Sequence, residues 1–248
     1  MNRILQDIAA AFQFLTRLPL NWLPHEPDAL PRATKYFPLV GLAVGAVAAE
    51  LYYLLSTHIP VAVIALLMVL FSTLVTGGLH EDGLADAVDA FGGGWNRQQV
   101  LEIMKDSRIG SYGTLALLFS VGGRVLLLSY LPAASFVNYV ISAEVLCRWG
   151  MLPLGAVIGS ARENVGQGAR IAGQISVISI AVGTTISFGV VGLMLRQSAV
   201  WPVVAAIAVT LFSGLYYKHR IGGITGDCFG ATSQITLLAV YLCGVWRG

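Results

Sequence analysis

Residues 61–89 read VAVIALLMVLFSTLVTGGLHEDGLADAVD. The first nineteen, 61–79, carry no charge. About 18 apolar residues in a helix suffice to cross the hydrocarbon of a bilayer, so this stretch reads as a transmembrane helix. The next ten residues invert that chemistry. Four of the chain's thirteen acidic residues, Glu81, Asp82, Asp86 and Asp89, fall within nine positions. On a helix, Asp82, Asp86 and Asp89 stand at i, i+4 and i+7 and project from one face about 60° wide. Three carboxylates on one stripe repel one another unless a cation sits among them. Hard oxygen ligands suit Mg²⁺, Mn²⁺ or Ca²⁺. The plainer alternative is a solvated turn between spans. Such a turn should mix signs, yet no Lys or Arg follows until Arg97.

The rest of the chain is equally apolar. Of its 248 residues 56% are hydrophobic and only 11% charged, with a mean hydropathy of +0.74. Soluble domains are about 25% charged, so this composition belongs in a bilayer. A net charge of +2 is too small to point to nucleic acid. Cys147, Cys228 and Cys243 show no metal-ligand or redox spacing and read as small buried residues. Asp7 and Arg17 interrupt the first apolar run and no small-residue cleavage site follows, so the N-terminus is not expected to be a cleaved signal.

Further spans are expected at 171–195, 197–217 and 229–246, and at 36–57 with one acid, Glu50. The stretch 111–159 is long enough for two, broken near Leu131-Pro132, with Arg124, Glu144 and Arg148 inside. The expected fold is therefore an all-α polytopic membrane bundle of seven spans. Residues 4–20 are either an eighth span or a helix lying in the interface. The chain shows no internal repeat or linker and reads as one domain, 1–248. If the 80–110 loop is cytoplasmic, that side collects ten cations: Arg17, Arg32, Lys35, Arg97, Lys105, Arg108, Arg162, Arg170, Lys218 and Arg220. The other side holds two, Arg196 and Arg247, as the positive-inside rule requires. Trp22, Trp95, Trp201 and Trp246 fall near span ends, where an aromatic belt would place them.

The candidate chemistry then lies on one face. Gly92-Gly93-Gly94 should end the acidic helix. Lys105 to Gly113 follows an expected amphipathic helix over 97–105. Lys105 and Arg108 could hold phosphate oxygens there, with Asp106 as a metal ligand or as the orienter of the arginine. The alternative is a basic helix C-terminus followed by a glycine stop. In Gly222-Gly223-Ile224-Thr225-Gly226-Asp227 the glycine amides can approach a phosphate closely and Asp227 can complete a metal shell. The alternative is a plain turn. Glu144 and Arg148 are i, i+4 neighbours that should satisfy each other. Arg124 pairs with Glu50 or faces the site. His25, His58 and His219 read as solvated. His80 opens the acidic helix and is a candidate for phosphate contact or proton transfer.

His80 to Asp89 resembles the His-x-Asp-Gly-Leu-Ala-Asp-x-x-Asp signature of the cobalamin synthase family, the adenosylcobinamide-GDP ribazoletransferases. Phe14-Leu15-Thr16-Arg17-Leu18-Pro19, Phe37-Pro38-Leu39-Val40-Gly41, Asp106-Ser107-Arg108-Ile109-Gly110 and Gly223-Ile224-Thr225-Gly226-Asp227 are similar to further segments of that family, in the same order. Glu81 occupies a variable position of the signature and adds a carboxylate. The resemblance implies Mg²⁺-dependent joining of adenosylcobinamide-GDP to α-ribazole or its 5′-phosphate, with release of GMP, at the cytoplasmic face of the bacterial inner membrane. It implies Asp82, Asp86, Asp89, Asp106 and Asp227 as metal ligands. Lys105, Ser107, Arg108, Gly223, Thr225 and Gly226 become substrate contacts. His80, Asp89 and Asp106 are the candidate bases, and Arg108 is the charge clamp. Expected partners are the two substrates, the lipid bilayer and other late enzymes of the pathway, with no nucleic acid; a homo-oligomer is compatible.

Two other readings compete. A CDP-alcohol phosphotransferase carries Asp-Gly-x-x-Ala on a membrane helix, with an Arg after the Ala and two more Asp at wider spacing. Here Asp86 follows Ala85, and Asp89 comes three later. A cation-coupled transporter would use Arg124, Glu144 and Arg148, but the acids cluster at one face rather than at the midplane.

Overall fold

Two consecutive glycines set the architecture. Helix α4 (Val61–Thr76) stops where Gly77 and Gly78 both take left-handed backbone angles, φ 66° and 69°. Gly78 N–H donates to Thr73 O at 2.8 Å and Gly77 N–H to Leu74 O at 3.1 Å. This is a Schellman ending, in which a positive φ favours glycine. The chain then starts α5 (Leu79–Gly93) at 88° to α4. The expected span 61–79 is accordingly cut to 16 residues, and the acidic segment becomes a helix of its own.

The computed structural model describes residues 2–20, 29–161 and 171–246. Trp22, His25, Arg162, Arg170 and Arg247 lie outside the described residues. The remaining elements are α1 (Arg3–Leu15), α2 (Leu30–Ala33), α3 (Phe37–Leu55), α6 (Arg97–Ile103), α7 (Ser111–Tyr130), α8 (Phe136–Trp149), α9 (Met151–Val157), α10 (Val177–Leu195), α11 (Val200–Ile221) and α12 (Gly226–Trp246). Among the described residues every regular element is a helix, as the apolar runs of the sequence predict. Among the described residues five stretches are long and apolar enough to cross a membrane, or six if the bent pair α4–α5 counts as one span. This is below the expected seven. The 16-residue α4 is too short to qualify alone, and Val177–Ile221 forms one apolar stretch although it breaks into α10 and α11 at Arg196.

Helix α1 has 13 residues, ~20 Å at 1.5 Å per residue, which is too short to span. It lies against α2 and α3. Its buried Asp7 accepts from Arg32 Nη2 at 3.2 Å and Lys35 Nζ at 2.9 Å. The alternatives for 4–20 thus close in favour of a non-spanning helix.

The long helices bury one face and leave the other apolar and open. Phe37, Leu84, Val100, Leu152, Ile221 and Ile224 pack beneath the acidic helix. Ile64, Leu128, Phe136, Leu146, Val191 and Tyr241 fill the other half of the bundle. Outward, Leu70, Leu118, Phe119, Leu193, Phe212 and Leu215 are exposed. An exposed apolar belt around a helical bundle is the surface that lipid tails solvate. Trp201 and Trp246 sit exposed at the end of the bundle opposite the acidic helix.

The charges within the 111–159 stretch pair. Arg148 binds Glu144 on α8, as the i, i+4 spacing predicts. Arg124 reaches neither Glu50 nor the open face: its Nη2 lies 2.8 Å from Glu81 Oε1, and both side chains are buried.

Candidate active site

The site is built where α5 crosses α12. A Cβ on Gly83 would lie 3.1 Å from Asp227 Cα and 3.2 Å from Gly230 Cα, and one on Gly230 would lie 3.0 Å from His80 O. Only glycines permit backbones this close, so the Gly83–Gly230 contact seats the first turn of α12 directly on the acidic helix. That brings the Asp227 backbone against Gly83, on the helix that carries Asp82 and Asp86, although Asp227 comes 144 positions after Gly83 in the chain.

Helix rotation then sorts the signature. Asp82 is exposed, while Asp86 and Asp89 are partly buried. His80 and Glu81 turn inward and are buried. Glu81 is taken up by Arg124 and by Thr73 Oγ1, which donates at 3.1 Å. His80 Nε2 is buried and, among the described residues, has no hydrogen-bond partner. At ~100° per residue His80 sits ~200° from Asp82, on the opposite side of the helix. It does not reach the open face where the sequence placed it as an acid or base.

Asp89 is committed to structure at both oxygens. It accepts from Gly110 N–H at 2.7 Å and from Gly113 N–H at 2.8 Å. These amides belong to the N-terminus of α7, where helix N–H groups lack internal partners and the dipole favours an anion. Asp89 thereby ties α5 to α7 and holds the 105–110 loop beside the acidic helix.

In that loop Asp106 and Arg108 form a fork. Arg108 Nη2 donates to Asp106 Oδ2 at 2.6 Å, Nε lies at 3.0 and 3.1 Å from the two oxygens, and Arg108 N–H donates to Oδ1 at 3.0 Å. Hydrogen bonds from Arg108 hold the Asp106 carboxyl down to about 2. Asp106 therefore orients the arginine, which was one of the two roles open to it. Lys105 and Ser107 are exposed at the same rim.

The glycine-rich loop is pinned from both sides. Gly223 lies so close to the 159–161 backbone that a Cβ would come within 2.6 Å of Ala161 N. Ala161 N–H donates to Ile224 O at 2.9 Å and Ile224 N–H to Gly159 O at 3.0 Å. Thr225 is buried; its hydroxyl donates to Asp227 Oδ2 at 3.1 Å. Gly226 is exposed as the first residue of α12. Of this motif, Gly226 and Asp227 border the open face, whereas Gly223 and Thr225 hold the loop in shape.

Two arginines that the sequence offered only as topology markers turn out to be staples of the site. Arg97 Nε donates to Ile221 O at 2.9 Å and Nη2 to Ala161 O at 2.8 Å. Arg220 Nη2 donates to Gly94 O at 2.8 Å and Phe91 O at 3.2 Å. Arg220 and the Nε of Arg97 satisfy carbonyls at helix ends, which have no partner within their own helix, and Arg97 Nη2 also holds the loop carbonyl of Ala161. The signal was present in principle, since cations near helix C-termini are favoured, but their carbonyl partners lie 64 to 129 positions away.

Among the described residues no three His, Cys, Asp or Glu side chains are gathered closely enough to hold an ion by themselves. The donor set still fits Mg²⁺. That ion keeps several waters and is held by one or two carboxylates together with substrate phosphates. Asp82 and Asp86 on one stripe of α5, with Asp227 on the helix packed against it, are donors of that all-oxygen kind; a soft-metal site would need thiolate or imidazole.

Residues 7–245 match the family described as cobalamin-5-phosphate synthase. The chain is 35% identical to an adenosylcobinamide-GDP ribazoletransferase of Polaromonas sp. strain JS666, over 98% of this chain and 97% of the relative. It is 36% identical to the protein of that name from Leptospira interrogans, over 98% and 97% of the two chains. For that of Clostridium botulinum strain Okra the identity is 34%, over 98% and 99%. No solved structure matches. The match runs through every element of the site, from α1 to the end of α12, and the chain belongs to the cobalamin-5-phosphate synthase family, transferases of cobalamin biosynthesis.

Proposed function

We propose that the protein transfers the adenosylcobinamide phosphate of adenosylcobinamide-GDP onto α-ribazole or its 5′-phosphate, releasing GMP. One observation carries the reading. The Gly83–Gly230 crossing packs the start of α12, with Asp227, against the helix that carries Asp82 and Asp86, and Asp89 ties the end of the Lys105–Gly110 loop to the same helix. Substrate and leaving group are both anionic phosphates, and this face offers what they need. The names of the relatives supply the substrates.

In the reaction a ribose hydroxyl oxygen bonds to the phosphorus that carries cobinamide. The bond from that phosphorus to the bridging oxygen of GMP breaks, and the hydroxyl proton leaves. Mg²⁺ held by Asp82, Asp86 and Asp227 would neutralise the pyrophosphate charge and align the displacement. Lys105 and Arg108 clamp the phosphoryl oxygens, assisted by the Ser107 hydroxyl and the exposed amide of Gly226. An arriving phosphate draws Arg108 away from Asp106. The freed carboxylate then regains basicity and is the proton acceptor in the loop. Asp89 and His80 are positioning residues, since Asp89 already accepts at both oxygens and His80 faces inward.

The whole chain acts as one domain in the inner membrane. The ten-to-two distribution of cations supports a cytoplasmic site. Purified protein with Mg²⁺, adenosylcobinamide-GDP and α-ribazole should release GMP without a membrane gradient. Absence of release with any divalent metal, together with solute uptake into vesicles, would favour a transporter. Asp82→Asn or Asp86→Asn with full Mg²⁺-dependent turnover would refute the ligand assignment.

A further inference from the structure

The Phe14–Pro19 motif takes no part in the chemistry above, yet the fold gives Arg17 a defined place. Its N–H donates to Val75 O at 2.7 Å, so the chain leaving α1 lies along the last turn of α4. The stem of its side chain covers Gly77, where a Cβ would come within 2.5 Å of Arg17 Cγ and Nε. Arg17 is exposed, and among the described residues no carboxylate pairs with it.

A groove of about 490 Å³ opens beside Arg17 between α3 and α4, lined by Leu51, Leu67, Leu70, Phe71 and Leu74. Apart from Arg17, its side chains are apolar. Leu67, Leu70 and Leu74 are 37%, 50% and 66% exposed, so no described element covers them. From Leu67 to Val75 the groove follows α4 for eight residues, ~12 Å. One leaflet of hydrocarbon is about half of ~30 Å deep, so the groove runs from the interface most of the way to the midplane. Arg17 is at the interfacial end, because it sits at the elbow where α4 gives way to the acidic helix.

A fixed cation above a leaflet-deep apolar trough matches an amphiphile with an anionic head and an alkyl chain. We infer that this groove seats an acyl chain of an anionic phospholipid whose headgroup phosphate pairs with Arg17. The lining offers no hydrogen-bonding side chain apart from Arg17, which disfavours a polar ligand such as a nucleotide or an amide-bearing ring. The site is independent of the reaction proposed above.

The test uses Leu70→Trp protein in phosphatidylcholine vesicles. These carry a minor share of brominated-chain lipid, either phosphatidylglycerol or phosphatidylcholine. Quenching is read as the excess over the five native tryptophans. Phosphatidylglycerol should associate about fivefold more strongly, the scale of one basic residue at an anionic surface. Arg17→Gln should abolish the preference and Arg17→Lys should keep most of it. Equal quenching by the two lipids, or a preference that survives Arg17→Gln, overturns the proposal. Native mass spectrometry of the unaltered protein released from mixed bilayers gives a second reading that needs no variant. Preferential retention of phosphatidylglycerol supports the seat, and equal retention of both lipids refutes it.

Discussion

Replacing Arg124 by methionine probes how the acidic helix is held. Glu81 Oε1 accepts from Arg124 Nη2 at 2.8 Å and from Thr73 Oγ1 at 3.1 Å, and the two charged side chains are only 10% and 3% exposed. Arg124→Met leaves the carboxylate buried with one neutral donor. Breaking a buried pair from one side costs ~3–5 kcal/mol; the remaining Thr73 hydroxyl puts the expected loss at the low end, ~3 kcal/mol. Adding Glu81→Gln removes the stranded charge. The native pair is itself incompletely satisfied, since Arg124 Nε and Glu81 Oε2 have no partner among the described residues. The double variant should therefore sit within ~1 kcal/mol of the native protein, a coupling of at least ~2 kcal/mol. Unfolding in mixed detergent–SDS micelles, followed by far-UV circular dichroism, measures all four corners of the cycle. Additive losses, or a single Arg124→Met loss below ~1 kcal/mol, would show that the pair does not hold α5.

Three further outcomes follow from the site. Gly83→Ala places a methyl 3.1 Å from Asp227 Cα and O, so α12 must retreat; a loss of ~1–3 kcal/mol with a raised KM for Mg²⁺ is expected, and unchanged Mg²⁺ dependence would contradict the crossing as the organiser of the site. Asp89→Asn keeps one acceptor for two amides, at ~1–2 kcal/mol, and should speed hydrogen exchange at Gly110 and Gly113 above the rest of α7. The Asp106 carboxyl lies at about 2 instead of its ordinary 3.8. A depressed carboxyl contributes order that is complete above its ordinary value and is lost as pH falls through the depressed one. The Asp106–Arg108 fork should thus persist at pH 4 and open near pH 2, and Arg108→Gln should return the carbonyl NMR titration of Asp106 toward the ordinary range.

The acidic helix was legible because its signal is local. Three aspartates at helical spacing with a glycine stop need no knowledge of the rest of the fold, and α5 ends at Gly93 as the triple glycine predicts. The Glu144–Arg148 pair was legible for the same reason. Arg124 was not: only Glu50 was weighed as its acid, and its actual partner, Glu81, lies 43 positions away with no periodicity to link them. Asp89 was grouped with the outward aspartates because sequence spacing gives angles around one helix, and His80 became a candidate only because it opens that helix. It does not say which side the neighbouring helices cover. Arg97 and Arg220 were counted only as charges for the same reason: their partners are backbone carbonyls, which every residue carries.

By itself, then, the sequence determined a helical membrane protein with an acidic helix, a cationic loop and a glycine-rich loop, and it pointed to the family. Composition, period and charge are properties of each segment alone, and a bilayer enforces helices wherever the chain is apolar. The tertiary structure decided which signature residues face outward. The Gly77-Gly78 elbow turns α5 through 88°, Glu81 is drawn inward to Arg124, and Gly83 against Gly230 brings in Asp227. Those choices come from close packing between segments far apart in the chain, where one missing Cβ or one buried charge selects the face.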